Sequence, residues 1–294
     1  MNATPTNSLF TIPGWVSEHP ELKARKIELE IVFKPHIAWR SPFKPDDVPH
    51  YVVKIVKEFS QEAEIYDQLK QYSRASPNHT VPCDVIRNES QLPLLIMPCV
   101  SHYDDQIFSD WNITQVVDYF RQIVEGLEFL HDHRIVHLDL RFDNLVLTQR
   151  WDVEYHKDLE LGKVYIIDFS ESRQLPLGPR QQPPIDLPQS IIPKPLDMQR
   201  FDPYSFDVYC IGRVLDATLT LVYSSRPKPW VLQRYAKWLI GAERGCTGVC
   251  RCRPTARRAR QIIVALQWAV RGLTLLANAV HSIRSLLSRR KPPA

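Results

Sequence analysis

The run His137-Leu138-Asp139-Leu140-Arg141-Phe142-Asp143-Asn144 constrains this chain more than any other stretch. It concentrates a histidine, two aspartates, an arginine and an asparagine in one short segment. Apolar residues border it on both sides, Ile135-Val136 before and Leu145-Val146-Leu147 after. Upstream, Ile113, Val116, Val117, Phe120, Ile123, Val124, Leu127 and Leu130 recur at three- and four-residue steps, which predicts an amphipathic helix over Ile113 to His131. Downstream, Asn144 to Leu147 and Lys163 to Ile167 read as short strands, the second ending in Asp168-Phe169-Ser170. A polar loop is thus held between a buried helix and a strand that closes on a carboxylate.

The rest of the chain divides by period and by its breakers. Alternation over Ile27 to Phe33 and the β-rich run Tyr51 to Val56 predict strands, and Leu92 to Met97 predicts a buried one. Ser60 to Tyr72 predicts a helix with Ile65 and Leu69 on one face. Helices are also expected over Phe206 to Leu221 and over 256–288. Eight of the 24 prolines fall between Pro176 and Pro203, so 171–205 reads as a long functional loop. Strands with one helix, followed mostly by helices, predict an α+β fold: a small β-rich lobe on a larger α-helical lobe, with a cleft between them. The corresponding division is an irregular leader at 1–26, a reduced amino-terminal lobe at 27–98, a carboxy-terminal lobe at 99–270 and a basic helical tail at 271–294.

Phosphoryl transfer needs few parts: a lysine for the phosphates, a carboxylate for magnesium, a second carboxylate for the attacking hydroxyl, and an oxygen ligand to complete the metal shell. Lys54 stands in Tyr-Val-Val-Lys-Ile-Val, where it points either into a cleft or, on an edge strand, to solvent. Glu62 opens Glu-Ala-Glu-Ile-Tyr-Asp-Gln-Leu eight residues later, with Glu64 as its rival.

The stretch Leu-Glu-Phe-Leu-His-Asp-His-Arg-Ile-Val-His-Leu-Asp-Leu-Arg-Phe-Asp-Asn-Leu-Val-Leu resembles the helix and catalytic loop of protein kinases. Val-Tyr-Ile-Ile-Asp-Phe-Ser resembles their metal-binding loop. Ser-Phe-Asp-Val-Tyr-Cys-Ile-Gly and Arg253-Pro254-Thr255-Ala256 resemble two later motifs, and the likeness covers residues 27–270. It implies Asp139 as catalytic base and Arg141 at the place of a phosphate-contacting lysine. It implies Lys54 as the phosphate-holding lysine, paired with Glu62 on a regulatory helix, and Met97 as a nucleotide contact. Asn144 and Asp168 would bind magnesium, His137 would brace the loop, Phe169 would pack under the regulatory helix, and Asp207 would hold the loop backbone. ATP and Mg2+ are the implied cofactors, and a protein substrate or partner is implied. The reduced amino-terminal lobe resembles divergent protein-kinase-domain proteins of fungi.

Several positions depart from that pattern. No glycine lies between Gly14 and Gly126, so no glycine-rich loop precedes Lys54. Leu138 replaces the arginine that receives an activation-loop phosphate, and 171–205 contains no threonine. Ser170 replaces the glycine after Asp168-Phe169, where a positive φ would be less comfortable. Pro193-Lys194-Pro195 stands near the place of the missing Ala-Pro-Glu, which would leave Arg253 without its usual glutamate. Asp168 follows Asn144 by 24 residues, which fits a hairpin insertion in Thr148 to Gly162.

Cys83, Cys99 and Cys210 read as core thiols, and Cys246, Cys250 and Cys252 as a loop with incidental thiols rather than a metal site. A net charge of +4 is too small to argue for nucleic acid. The stretch Ser8 to Val16 lacks the features of a secretory signal, so an intracellular, cytoplasmic location is the expectation. Gln261 to Val280 carries Arg271 as its one charge and has basic flanks. It reads as the last helices of the α-rich lobe, with membrane contact as the alternative. Three functions remain in view: an ATP-dependent protein kinase, a non-catalytic scaffold of the same fold, and a small-molecule phosphotransferase of the aminoglycoside or choline type.

Overall fold

The computed structural model describes residues 11–42, 49–100, 108, 110–189, 200–241 and 248–288, with the side chains of 277–278 and 281–288 left aside. Five antiparallel strands form the small lobe: β1 (Ile31–Lys34), β2 (Ala38–Arg40), β3 (Tyr51–Ile55), β4 (Asp84–Asn88) and β5 (Gln91–Pro98), in the order β1-β2-β3-β5-β4. Successive side chains on a strand face opposite ways, and this sorts β3. Val53 is fully buried with Trp39, Leu94 and Ile96 on the outer face. Lys54 is directed to the inner face, toward the larger lobe. β3 lies in the middle of the sheet, so Lys54 is not an edge-strand lysine.

The segment expected to be irregular carries two short helices, Gly14–Ser17 and Pro20–Ala24. Pro20 suits a first helical turn, and the His19 ring Nδ1 accepts the Glu21 N–H at 3.3 Å. Their Val16 and Leu22 complete the outer apolar cluster of the sheet, so this segment works as part of the small lobe. The first strand begins at Ile31 rather than Ile27, and strands β2 and β4 have no counterpart in the sequence reading.

In the larger lobe, the central helix (Ile113–Asp132) starts from a capping box in which the Asn112 side chain accepts the N–H groups of Thr114 and Gln115. Its expected apolar stripe is buried from Val116 to Leu130, with Ile113 half-buried, each fully buried large side chain contributing about 1.5–3 kcal/mol. Gly126 lets this helix approach closely, since a Cβ there would lie 2.7 Å from the His79 Cβ. Beyond it come helices Pro203–Val222, Trp230–Ile240 and Ala256–Ser288; the middle one was not foreseen.

After the short strand β6 (Ile135–Val136), the insertion between β7 (Leu145–Leu147) and β8 (Val164–Ile166) is not a plain hairpin. The two strands pair antiparallel, but a helix, Arg150–Tyr155, is built between them. A capping box between Gln149 and Asp152 starts it. The last helix runs unbroken through Arg271 and Gly272. Its first turns are fastened to the central helix by Arg260 to Glu125 at 2.7 Å and Arg257 to Asp132 at 3.0 Å. Among the described residues no helix is long and apolar enough to cross a membrane.

Candidate active site

The two lobes enclose a cavity of about 850 Å³, whose lining includes Lys54, Glu62, Met97, Arg141, Asn144 and Asp168. Six of the seven residues expected from sequence to take part in catalysis or in nucleotide and metal binding therefore share one space. The seventh, Asp139, adjoins it through hydrogen bonds to Arg141 and Asn144.

Lys54 donates to Glu62 Oε1 and to Asp168 Oδ1, each at 2.6 Å. The partners come from three distant elements: β3, the helix Glu62–Lys70, and the loop after β8. Glu62 is fully buried, whereas Glu64 is largely exposed and lies 3.7 Å from Arg87; the pairing selects Glu62. Burial opposes charge on Lys54, yet the Glu62 and Asp168 carboxylates outweigh it and hold the ammonium above its ordinary 10.5. Burial raises the Glu62 carboxyl above 4.5 against the pull of Lys54. Burial would raise Asp168 too, but the charges of Lys54 and Lys34 and hydrogen bonds from Lys54 and Ser170 hold it well below the usual carboxylate range. Asp168 is thus kept ionised.

Asp207 organises the loop that contains Asp139. Its Oδ1 accepts the Leu138 N–H at 2.8 Å, and its Oδ2 accepts the His137 N–H at 2.8 Å and lies 3.0 Å from His131 Nε2. Leu138, fully buried, has a φ of +64°, a conformation unfavourable for a branched side chain, and the two backbone bonds hold it there. His137 Nδ1 accepts the Asp139 N–H at 3.3 Å and Nε2 meets the Ile167 carbonyl at 3.0 Å, a pattern suited to the neutral ring. Burial lowers the His137 pKa in agreement. Asn144 donates to the Asp139 backbone oxygen at 2.8 Å and to its Oδ2 at 3.1 Å.

Phe169 lies against Tyr66 of the helix Glu62–Lys70, ring centroids 5.1 Å apart, and against His137 at 5.0 Å. The positive φ in this loop falls on Asp168, at +62°, and not on Ser170. The missing glycine therefore costs the loop nothing in backbone strain at that position. Lys57 to Glu171 at 2.7 Å and Ser60 to the Ser170 carbonyl at 3.2 Å further tie the small lobe to it.

Sequence reasoning missed a group at the cavity mouth. His156, just past the insertion helix, meets the His50 carbonyl at 2.8 Å and packs edge-on to Tyr51. Trp151 and Arg40 also line the space. Cys99 lines it as well, beside Met97 and Val100, and is only half-buried, so it is not a core thiol. Lys34 was likewise missed, and the only signal for it was its place at the end of an apolar run.

Arg253 is buried. It donates to the Ile240 carbonyl at 2.6 Å and lies over the rings of Phe201 and Tyr209. Pro193-Lys194-Pro195 and Cys246 lie outside the described residues. The sulfurs of Cys250 and Cys252 are 3.2 Å apart.

A two-lobed fold with a strand lysine, a helix glutamate, a braced His-x-Asp loop and an aspartate after β8 is the arrangement of the protein-kinase fold. The profile of the protein kinase domain matches residues 46–224, and the chain belongs to that family. It is 31% identical over 118 residues to serine/threonine-protein kinase 17A of Oryctolagus cuniculus, covering 40% of this chain and 26% of that one. It is 30% identical over 112 residues to serine/threonine-protein kinase CAK1 of Saccharomyces cerevisiae, covering 38% and 28%. These matches span about a quarter of each relative's length. A solved structure of the Cydia pomonella granulovirus kinase PK-1 is similar at 18% identity and a TM-score of 0.48, over 70% of this chain and 72% of that one.

Proposed function

We propose that this chain is an ATP-dependent protein kinase that transfers the γ-phosphoryl group to a serine or threonine hydroxyl of a protein. The observation that carries the reading is Lys54, held at 2.6 Å from both Glu62 and Asp168 inside the cleft. A lysine so placed meets the phosphates of a nucleotide lying between the lobes, with Met97 beside the base. Asp139, oriented by Asn144 and Arg141, accepts the proton of the attacking hydroxyl. The relatives named above are serine/threonine kinases, which supports that choice of hydroxyl.

The donor set fits magnesium. Asp168 is ionised and offers carboxylate oxygens, and the Asn144 amide nitrogen is committed to Asp139, which leaves its oxygen for a cation. Hard oxygen ligands of this kind suit Mg2+. When bound, the metal neutralises charge that develops on the transferred phosphoryl group.

One observation favours the scaffold reading instead: the β1–β2 connection is a tight turn with no glycine. Two measurements separate the readings. Thermal melting of the full chain with MgATP, in wild type and Asp168→Asn, reads binding; a peptide-transfer assay with Asp139→Asn reads chemistry, with amino alcohols and aminoglycosides as control acceptors. The kinase reading expects a melting shift in the wild type, lost in Asp168→Asn. It also expects peptide transfer reduced about 10²- to 10⁴-fold by Asp139→Asn. A wild type that melts identically with and without MgATP sinks it in favour of the scaffold.

A further inference from the structure

The turn between β1 and β2 shows how little backbone this chain offers to a phosphate. Lys34 pairs with Ala38, and the Ile37 N–H bonds back to the Lys34 carbonyl at 3.1 Å. Pro35 and His36 fill the corner, with φ +59° at His36, as a type II turn places proline before a positive-φ residue. A phosphate cradle needs backbone N–H groups aimed at one point. Here Pro35 has none, and that of Ile37 is committed within the turn.

The side chains at this turn tell a different story. Lys34 reaches into the cleft, and its Nζ lies 3.7 Å from Asp168 Oδ2. Asp168 therefore stands between two ammonium groups, Lys54 on Oδ1 and Lys34 on Oδ2. The two lysines differ in freedom. Lys54 is 7% exposed and clamped by two carboxylates at 2.6 Å. Lys34 is 42% exposed and beyond hydrogen-bond length, so it can turn toward a newly arrived anion at little expense. Its charge already reaches Glu62 as well as Asp168.

We propose that Lys34 takes over, through its side chain, the covering of the terminal phosphates for which the β1–β2 turn has little backbone to offer. The ligand class is a nucleoside triphosphate, held at its outer phosphates by the Lys34 ammonium from the small-lobe side and by Lys54 from within. Lys34 is here a binding residue, and the assignment rests on the nucleotide-binding reading given above.

The test is equilibrium binding, by calorimetry on the full chain, of MgATP, MgADP and adenosine to wild type, Lys34→Ala and Lys34→Arg. A lost charge-assisted contact predicts MgATP affinity lower by about 10- to 100-fold in Lys34→Ala. MgADP should be affected less, adenosine unchanged, and Lys34→Arg should recover most of the loss. Unchanged adenosine binding also shows that the variant is folded. If Lys34→Ala binds MgATP as well as, or better than, wild type, Lys34 is only a counter-ion to Asp168 and the proposal fails while the kinase reading stands. If the wild type binds none of the three ligands, the kinase reading itself fails and this proposal with it.

Discussion

Lys54 and Glu62 meet at 2.6 Å with side chains only 7% and 0% exposed. A buried pair of this kind adds little net stability while intact, but removing one partner strands the other charge. The two ends are not equivalent, because Lys54 has Asp168 as a second partner whereas the Glu62 Oε2 has no hydrogen bond among the described residues. Lys54→Met, which keeps the volume, should therefore destabilise the fold by about 3–5 kcal/mol and abolish transfer. Glu62→Gln should be milder in stability, since Lys54 keeps Asp168. Chemical denaturation of both variants checks this; equal losses would contradict the asymmetry.

Asp207 accepts two backbone N–H groups and faces His131, all in the interior. In Asp207→Ala each orphaned donor should cost about 1–3 kcal/mol. Leu138 would also lose the bonds that hold its left-handed backbone. Asp207→Asn keeps one carbonyl oxygen as acceptor and should retain a larger part of the stability. Hydrogen exchange at 137–139 is the direct readout: faster exchange there in Asp207→Ala, with protection elsewhere in the central helix retained, is expected.

Stability should also depend on pH near neutrality. Burial holds His137 and His156 below the ordinary 6.5, so both stay neutral in the fold. The unfolded chain takes up protons at these positions first as pH falls. The contribution is therefore fully present above about 6.5 and is lost as pH drops below it toward the folded-state values. Melting curves between pH 8 and pH 5 (about the range in which histidine titrates) should show falling stability. His156→Gln, which keeps a donor for the His50 carbonyl, should reduce the slope.

Much of the site was legible because its parts are local. Asp139, Arg141 and Asn144 sit on one loop, and the apolar period of the central helix marks where that loop starts. Glu62 could be preferred to Glu64 only by spacing; burial at the cleft is what distinguishes them. The insertion helix stayed hidden because Trp151, Val153 and Tyr155 alternate with polar residues, a two-residue period that does not announce a helix; it is stabilised by its capping box and by contacts that close on the small lobe. The helices before β1 were hidden for a similar reason. They are too short to form alone and exist because Val16 and Leu22 bury against the sheet.

Taken alone, the sequence determined the family, the two-lobed order and the makeup of the His137–Asn144 loop, since these depend on residue types at short, fixed spacing. The tertiary structure decided what long-range packing controls. It put Lys54 on a central strand, 114 residues in sequence from the aspartate it contacts. It placed Phe169 between Tyr66 and His137, and it brought Lys34 from the glycine-free turn to the far side of Asp168. Which charges share the cleft depends on strand order and side-chain alternation, and neither is written in any one segment.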